Sequence, residues 1–349
     1  MSENKEVMFS LSKEDLAAGK FTKEIDGRRV TLALMPSDVH DPSELSGYLA
    51  GYKPFQFRAD EVSPVVLVEN DSDKYRTFSA DDAFDVSTVK TNAAADPAMV
   101  DPSSSLATYA VTERALGCFI PQQTLNQKGN NYDPRMAASR KCATKILLDR
   151  EIDAMALVGT NTNWDASVRT ALAAGYNWNG GVSSDPIRDL NDAIQKSWQP
   201  VTHVVMNDKI FSAFLRHDSV KDYIKLVRGD AAALGLPGGG YGQRDIEIPG
   251  LPRIMVVSSK NKSGTSLTYT LGDVAVLATI PANVPMDGET VASSYSFRVR
   301  GESGTGWEVR EYNAEHKGSR GGLVVVVAMG DVAAMTANKA GGIITGVYA

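Results

Sequence analysis

One stretch constrains this chain more than any other: the helical pattern from Asp133 to about Val158. Asp133 is a good N-cap, Pro134 follows at the first helical position, where its missing N–H is no loss, and Gly159 supplies a stop. At ~1.5 Å per residue the helix predicted over 133–158 is roughly 37 Å long, well beyond the usual globular helix. Met136, Ala143, Ile146, Leu147, Ala154, Leu157 and Val158 fall within an arc of about 120°, and Leu148, Ile152 and Met155 make a second apolar strip. A helix with two apolar sides separates two layers of a fold or lies partly against another subunit. Arg150 falls inside the main arc, so a guanidinium buried there needs an acidic or carbonyl partner.

The helix also carries its charges in an unusual order. Arg135, Arg140, Lys141 and Lys145 occupy the first half, and Asp149, Glu151 and Asp153 the second. That order opposes the helix macrodipole, which favours the reverse by ~0.3–1 kcal/mol per charge near the ends. One explanation is a solvated face; the other is that the bases meet acids supplied from elsewhere. The obvious source is residues 60–101, which hold ten acidic residues against Lys74, Arg76 and Lys90. Here Pro64–Val68 and Lys74–Phe78 read as two strands around the turn Glu69–Asp73, an acidic hairpin that projects from the body. Its acids Glu69, Asp71, Asp73, Asp81, Asp82 and Asp85 are therefore candidate partners, across a subunit boundary, for Arg135, Arg140, Lys141 and Lys145.

Around these landmarks the chain divides further. Residues 1–60, with Pro36, Pro42, Gly47, Gly51 and Pro54 among short apolar runs, read as an extended arm, either free or laid on a neighbour. From about 165 helix and strand alternate. Asp185-Pro186 opens a capped helix to Trp198, Val201–Met206 reads as a buried strand, and Lys209–Leu215 and Val220–Val227 as short helices. Further strands fall in Glu247–Ser258 and Ser266–Ile280. Ser294–Arg300 and Gly306–Asn313 look like a strand pair around Gly301–Thr305, read as a hairpin turn. Leu323–Val327 and Gly342–Tyr348 are β-branched and too apolar for an exposed edge, so they read as central strands.

Chemistry leaves no comparable signature. Pro237–Gly242 is glycine-rich but lacks the Gly-Lys-Ser/Thr ending of a phosphate loop. Gly301-Glu302-Ser303-Gly304-Thr305 has Thr where a nucleophile elbow needs its last glycine. His40, His203, His217 and His316 are scattered, without metal-ligand spacing, and paired acids such as Asp81-Asp82 lie in the projection, where nothing would raise a carboxyl pKa. No enzyme, cofactor or metal is expected. Cys118 and Cys142 read as two free, buried thiols, with no disulfide or metal partner nearby in the sequence. At 349 residues and a net charge of −6 the chain has room for roughly two domains and lacks the basic excess of a tight nucleic-acid binder. No apolar run approaches the ~20 residues of a membrane span, and Met1–Glu6 has none of the marks of a signal peptide, so the expected compartment is cytoplasmic.

Arm, acidic loop, long capped helix and mixed domain, in that order, resemble the major capsid proteins of tailed bacteriophages of the Hong Kong 97 type. Tyr109–Glu113 with Ile120-Pro121 looks like the strand leaving the extended loop, and Asn131–Pro134 with Lys145–Ile152 is similar to the spine-helix segment. Trp178-Asn179 with Ser184–Leu190 resembles the start of the axial domain's first helix. Val205–Asn207 and Phe214–Val220 look like the following strand and helices, and Glu311 to Tyr348 like the closing strands. The resemblance covers about residues 55–349 and implies an α+β fold in four parts. These are an N-terminal arm (1–60), an extended β-hairpin loop (61–115), a peripheral domain (116–164 and 291–322) with its spine helix at 133–158, and an axial α/β domain (165–290 and 323–349). It implies a structural role: self-assembly into hexamers and pentamers of an icosahedral head around double-stranded DNA, touched only weakly and non-specifically. It further implies a place in the virion after assembly in the host cytoplasm, away from membranes, with separate scaffolding, portal and decoration proteins as partners. The alternative with the same fold is an encapsulin-like compartment that holds enzyme cargo.

Overall fold

A computed structural model describes residues 22–25, 28–31, 39–40, 43–52, 54, 57–79, 105–126, 133–180, 183–228, 245–282, 290–301, 304, 306–315, 317, 320–348. The chain begins with strands β1 (Thr22–Ile25), β2 (Arg28–Thr31) and β3 (Val39–His40), then helices α1 (Ser43–Ala50) and α2 (Ala59–Val62). Strands β4 (Val65–Val68), β5 (Ser72–Thr77), β6 (Ser105–Ala110) and β7 (Thr112–Pro121) lead through α3 (Gln122–Asn126) into α4 (Pro134–Gly159). After β8 (Arg169–Ala171) come α5 (Pro186–Lys196), β9 (His203–Asn207), α6 (Asp208–Arg216) and α7 (Asp218–Arg228). The chain closes with β10 (Arg253–Val257), β11 (Lys260–Ser263), β12 (Ser266–Tyr269), β13 (Ala275–Ala278), β14 (Ser294–Val299), β15 (Glu308–Asn313), β16 (Gly322–Met335) and β17 (Gly341–Thr345).

Two sheets carry the cores. In the six-stranded sheet the order is β3-β15-β16-β14-β4, with β7 along the other side of β16. Val325, Val327 and Met329 of β16 turn alternate side chains towards α4, as a strand's period of two requires. There they meet Ala138, Cys142, Ala143, Ile146 and Leu147, with Leu45 and Leu49 of α1 closing the cluster. The five-stranded sheet has the order β10-β9-β13-β17-β8. One face, with Val204, Met206, Ile254, Val256 and Leu277, is covered by Leu190, Ile210, Phe211 and Phe214 of α5 and α6. The other, with Val205, Met255, Val257, Val276 and Ile343, receives Met155 and Val158 from the far end of α4. The start of β17 depends on Gly341, whose φ is 131° and where a Cβ would collide with the Leu277 carbonyl.

α4 follows its sequence signals: the Asp133 carboxylate accepts from the Arg135 N–H at 2.9 Å, and Pro134 stands at the start. Its apolar residues are divided by position along the axis as much as by side. The first turns belong to the six-stranded sheet's core and the last to the five-stranded sheet's. One helix thereby belongs to both cores.

Four expectations are corrected. Residues 64–68 and 74–78 do form strands, but they do not pair with each other. The apolar β4 lies parallel to β14, whereas the polar β5 pairs antiparallel with β6, Ser72 opposite Ala110 and Thr77 opposite Ser105. A Val-Val-Leu-Val strand gains by entering a sheet, and Ser-Asp-Lys-Tyr-Arg-Thr suits a ribbon wet on both sides. Gly301–Thr305 is not a hairpin turn either. β14 and β15 both run antiparallel to the same 14-residue β16, one after the other, so the glycine-rich stretch is an excursion and the chain keeps its direction. Residues 323–349 do not stay together: β16 is in the six-stranded sheet and β17 in the five-stranded one. Finally, the arm does not run loose to residue 60. Leu45, Tyr48, Leu49 and Tyr52 recur at helical spacing and α1 docks them on α4, although Gly47, Gly51 and Pro54 had the look of turns. Residues 1–21 lie outside the described residues, as does the Pro237–Gly242 loop.

Candidate subunit interface

The candidate interface residues fall into two groups that the folded chain keeps on different partners. Glu69, Asp71 and Asp73 lie at the root of the β5–β6 ribbon and are exposed. Glu69 reaches Arg300 at 3.7 Å, and the Asp73 carboxylate accepts from its neighbour Lys74 N–H at 2.8 Å. Val111 donates to the Asp71 carbonyl at 2.8 Å, which holds the turn against the β6–β7 junction. Beside it a groove of about 340 Å³ is lined by Asp71, Glu113 and Glu308 over the floor of Ala328 and Gly330. The structure thus brings together Asp71 and two acids that the sequence reading missed. Asp81, Asp82 and Asp85 lie outside the described residues.

On α4, Arg135 is half-buried, 3.7 Å from Asp133 and 3.5 Å from the buried Glu311 of β15. Arg140 donates from Nε to the Tyr48 hydroxyl at 2.8 Å and lies over the Tyr48 and Tyr52 rings, 5.5 and 6.0 Å from their centroids. Lys141 and Lys145 are exposed and make no ion pair among the described residues. Of the four bases, two are thus engaged within the chain and two present their charge to solvent.

The second half of the helix is different. Arg150 is 4% exposed and pairs with Asp331 of β16 and with Asp60 of α2, while its third nitrogen donates to Ser296 Oγ at 3.1 Å. The acidic partner required by its place in the apolar arc is present. Asp331 also takes Arg114 of β7 at 2.6 Å, and Asp60 takes Arg298 at 3.0 Å, so charges alternate along Arg114, Asp331, Arg150, Asp60 and Arg298. Burial works against the charge of Arg114, but Asp331, Asp149 and Asp153 outweigh it and hold the guanidinium above its ordinary value. For Arg298 burial wins, helped by the neighbouring Arg150 charge, and the value falls. The out-of-order acids Asp149 and Asp153 are thus explained locally: they clamp Arg114.

Glu151, beside Arg150, is fully buried. Its carboxyl accepts from the N–H groups of Arg58 and Ala59 at 2.9 and 2.7 Å and from Ser259 Oγ at 3.0 Å. It joins α4 to the start of α2 and to the segment after β10. Burial pushes its pKa up to about 7, against the pull of those hydrogen bonds. Nothing in the apolar spacing of the helix marked Glu151 as buried, because its partners, two backbone N–H groups and the Ser259 hydroxyl, come from distant segments. Among the described residues no group of three His, Cys, Asp or Glu side chains is placed to hold a metal ion, and no helix is long and apolar enough to cross a membrane.

No protein-family model matches the chain. The major capsid protein of Pseudomonas phage JBD67 is 27% identical over 154 residues, which are 44% of this chain and 49% of that protein. The chain therefore spans about half the length of the curated relative it matches. A phage-related protein from Bordetella bronchiseptica superimposes with a TM-score of 0.66 at 17% identity, over 88% of this chain and 97% of that one. The capsid protein attributed to a prophage of E. coli gives 0.54 at 12% identity, over 88% and 99%. At these identities the likeness shows the fold.

Proposed function

We propose that this chain, an α+β protein with the Hong Kong 97-type capsid fold, is the major capsid subunit of a tailed-bacteriophage head. The observation that carries the reading is a coincidence. The likeness in fold covers 88% of the chain, and a stretch of 154 residues matches a phage major capsid protein in sequence. The role is structural: copies associate into hexamers and pentamers and close a shell around double-stranded DNA, in the host cytoplasm. Scaffolding, portal and decoration proteins would be separate chains. A net charge of −6 suits a wall that touches DNA weakly and lets it slide. In this reading the β5–β6 ribbon is the extended loop, the six-stranded sheet with α4 the peripheral domain, and the five-stranded sheet the axial part at the capsomer axis.

The contact between copies pairs the acidic ribbon root with a neighbour's basic helix start. The support is complementary exposure: Asp71, Glu113 and Glu308 line one groove, and Lys141 and Lys145 are exposed on α4 with no ion pair among the described residues. Such a contact is modest singly and strong when repeated by symmetry. Electron microscopy of the purified protein tests the main reading. Shells, or rings of five and six copies, are expected; a dispersed monomer at high concentration would sink it. Particles filled with a folded enzyme in place of DNA would favour the compartment alternative.

A further inference from the structure

We infer that Cys118 and Cys142, the chain's only cysteines, form a dithiol that a low-molecular-weight disulfide oxidises to an intramolecular Cys118–Cys142 bridge. The two lie more than twenty positions apart, and neither has a cysteine neighbour in the sequence. The fold brings them together. On β7 the side chains of Arg114, Leu116, Cys118 and Ile120 share the face turned to α4, by the alternation of a strand. β7 runs against the direction of α4: Arg114 meets Asp149 and Asp153, and further along the strand Cys118 and Ile120 join the cluster that holds Cys142 and Ala138. From Arg114 to Cys118 the strand advances roughly 13 Å, and from Asp149 or Asp153 back to Cys142 the helix covers about 10–16 Å, so the two thiols arrive at the same level.

Side-chain size permits the approach. Ala138, Ser139, Cys142 and Ala143 are all small and all buried on the sheet side of the helix. Small residues let a helix and a strand come close, and a disulfide needs Cα atoms within about 7 Å. Cys142 is buried in this cluster and Cys118 packs against it. Nothing else near them competes for the role, since among the described residues no metal-binding group exists.

The accessibilities assign the order of events. Cys118 is only partly buried and meets the oxidant first, whereas Cys142 is 2% exposed. The Cys118 thiolate attacks one sulfur of oxidised glutathione. A Cys118–glutathione mixed disulfide forms, the glutathione S–S bond breaks, and one glutathione thiol leaves with a proton. The Cys142 sulfur then attacks the Cys118 sulfur, and the second glutathione leaves carrying the Cys142 proton. Two protein thiols are oxidised and one glutathione disulfide is reduced to two thiols. Burial pushes the Cys142 thiol up to about 11, so little thiolate is present at neutral pH and the second step is slow, driven by the mixed disulfide held in the same cluster. In a reducing compartment the pair stays as thiols; in an oxidising one the bridge ties β7 to α4. The inference rests on the fold and not on the capsid reading.

The test uses the full chain in whatever assembly state it adopts. After exposure to oxidised glutathione, intact-mass measurement under denaturing, alkylating conditions should show the loss of two hydrogens, no retained glutathione and no thiol left to alkylate. Peptide mapping should find Cys118 linked to Cys142, and the thermal midpoint should rise by several degrees, reversibly with a reductant. In Cys142→Ala, glutathione should instead remain on Cys118. Two alkylatable thiols after prolonged exposure, a lasting glutathione adduct on the unmodified chain, or a bridge between two chains would each overturn the inference. The unmodified chain alone decides the matter if the variant does not fold.

Discussion

Arg150 and Lys145 lie within two turns of each other on α4, yet the fold treats their charges in opposite ways. Arg150 is sealed in and meets Asp331, Asp60 and Ser296; Lys145 is exposed and makes no ion pair among the described residues. The difference separates two uses of charge. A buried ion must be matched within its own chain before anything else can happen, since desolvation would otherwise unfold the region. An exposed ion contributes little to the monomer and is available to a neighbour.

Removing a member of the buried set should therefore have the largest effect. Arg150→Met leaves the Asp331 carboxylate, whose side chain is 2% exposed, with Arg114 as its one guanidinium partner among the described residues, and should cost about 3–5 kcal/mol in urea unfolding. Adding Asp331→Asn should recover part of that loss, although Arg114 then loses a partner. A single variant that unfolds like the unmodified chain would erase the contrast with Lys145.

Next comes the pH dependence of Glu151. Its folded value of about 7 lies above its ordinary 4.5, so the folded state holds a proton that the unfolded chain has released. The contribution is fully present below pH 4.5 and is lost as pH rises through 7, a span worth roughly 3 kcal/mol. Glu151→Gln should flatten the stability profile between those limits. An unchanged slope in the variant would assign the pH dependence to other groups.

Arg114→Lys should be milder, about 1–2 kcal/mol, because one ammonium cannot reach Asp149, Asp153 and Asp331 together as the guanidinium does. The smallest effect on the monomer should come from Lys141→Glu with Lys145→Glu, within about 0.5 kcal/mol. The same pair should impair assembly scored by electron microscopy, with partial rescue when Asp71 and Glu113 are changed to Lys. Equal assembly of the double and the rescued variants would show that these bases face solvent in the shell as well.

Much of this was legible in the residues. Asp133-Pro134 and Gly159 bound the long helix within a residue, because capping is a local affair of one side chain and the next few N–H groups. The short helices after 208 and 218 followed from their amphipathic spacing, and so did the need for a partner at Arg150. The α1 helix was equally readable from Leu45, Tyr48, Leu49 and Tyr52 but lay hidden behind glycines taken as turns. Glu151 carried no signal at all: a lone acid on a helix looks solvated until distant backbone donors are seen to face it.

By itself, then, the sequence determined where helices begin and end, which strands are apolar enough to be central, and the segregation of charge along α4. Those are decided by neighbours within a few residues. Only the tertiary structure decided that β5 pairs with β6 and not β4, that β14 and β15 share one long partner, and that β16 and β17 belong to different sheets. It alone decided which charges on α4 are matched internally and which remain for another copy, and that two cysteines far apart in the chain stand side by side. These are contacts between segments separated by tens of residues, and they depend on how the whole chain buries its apolar surface, which no local pattern records.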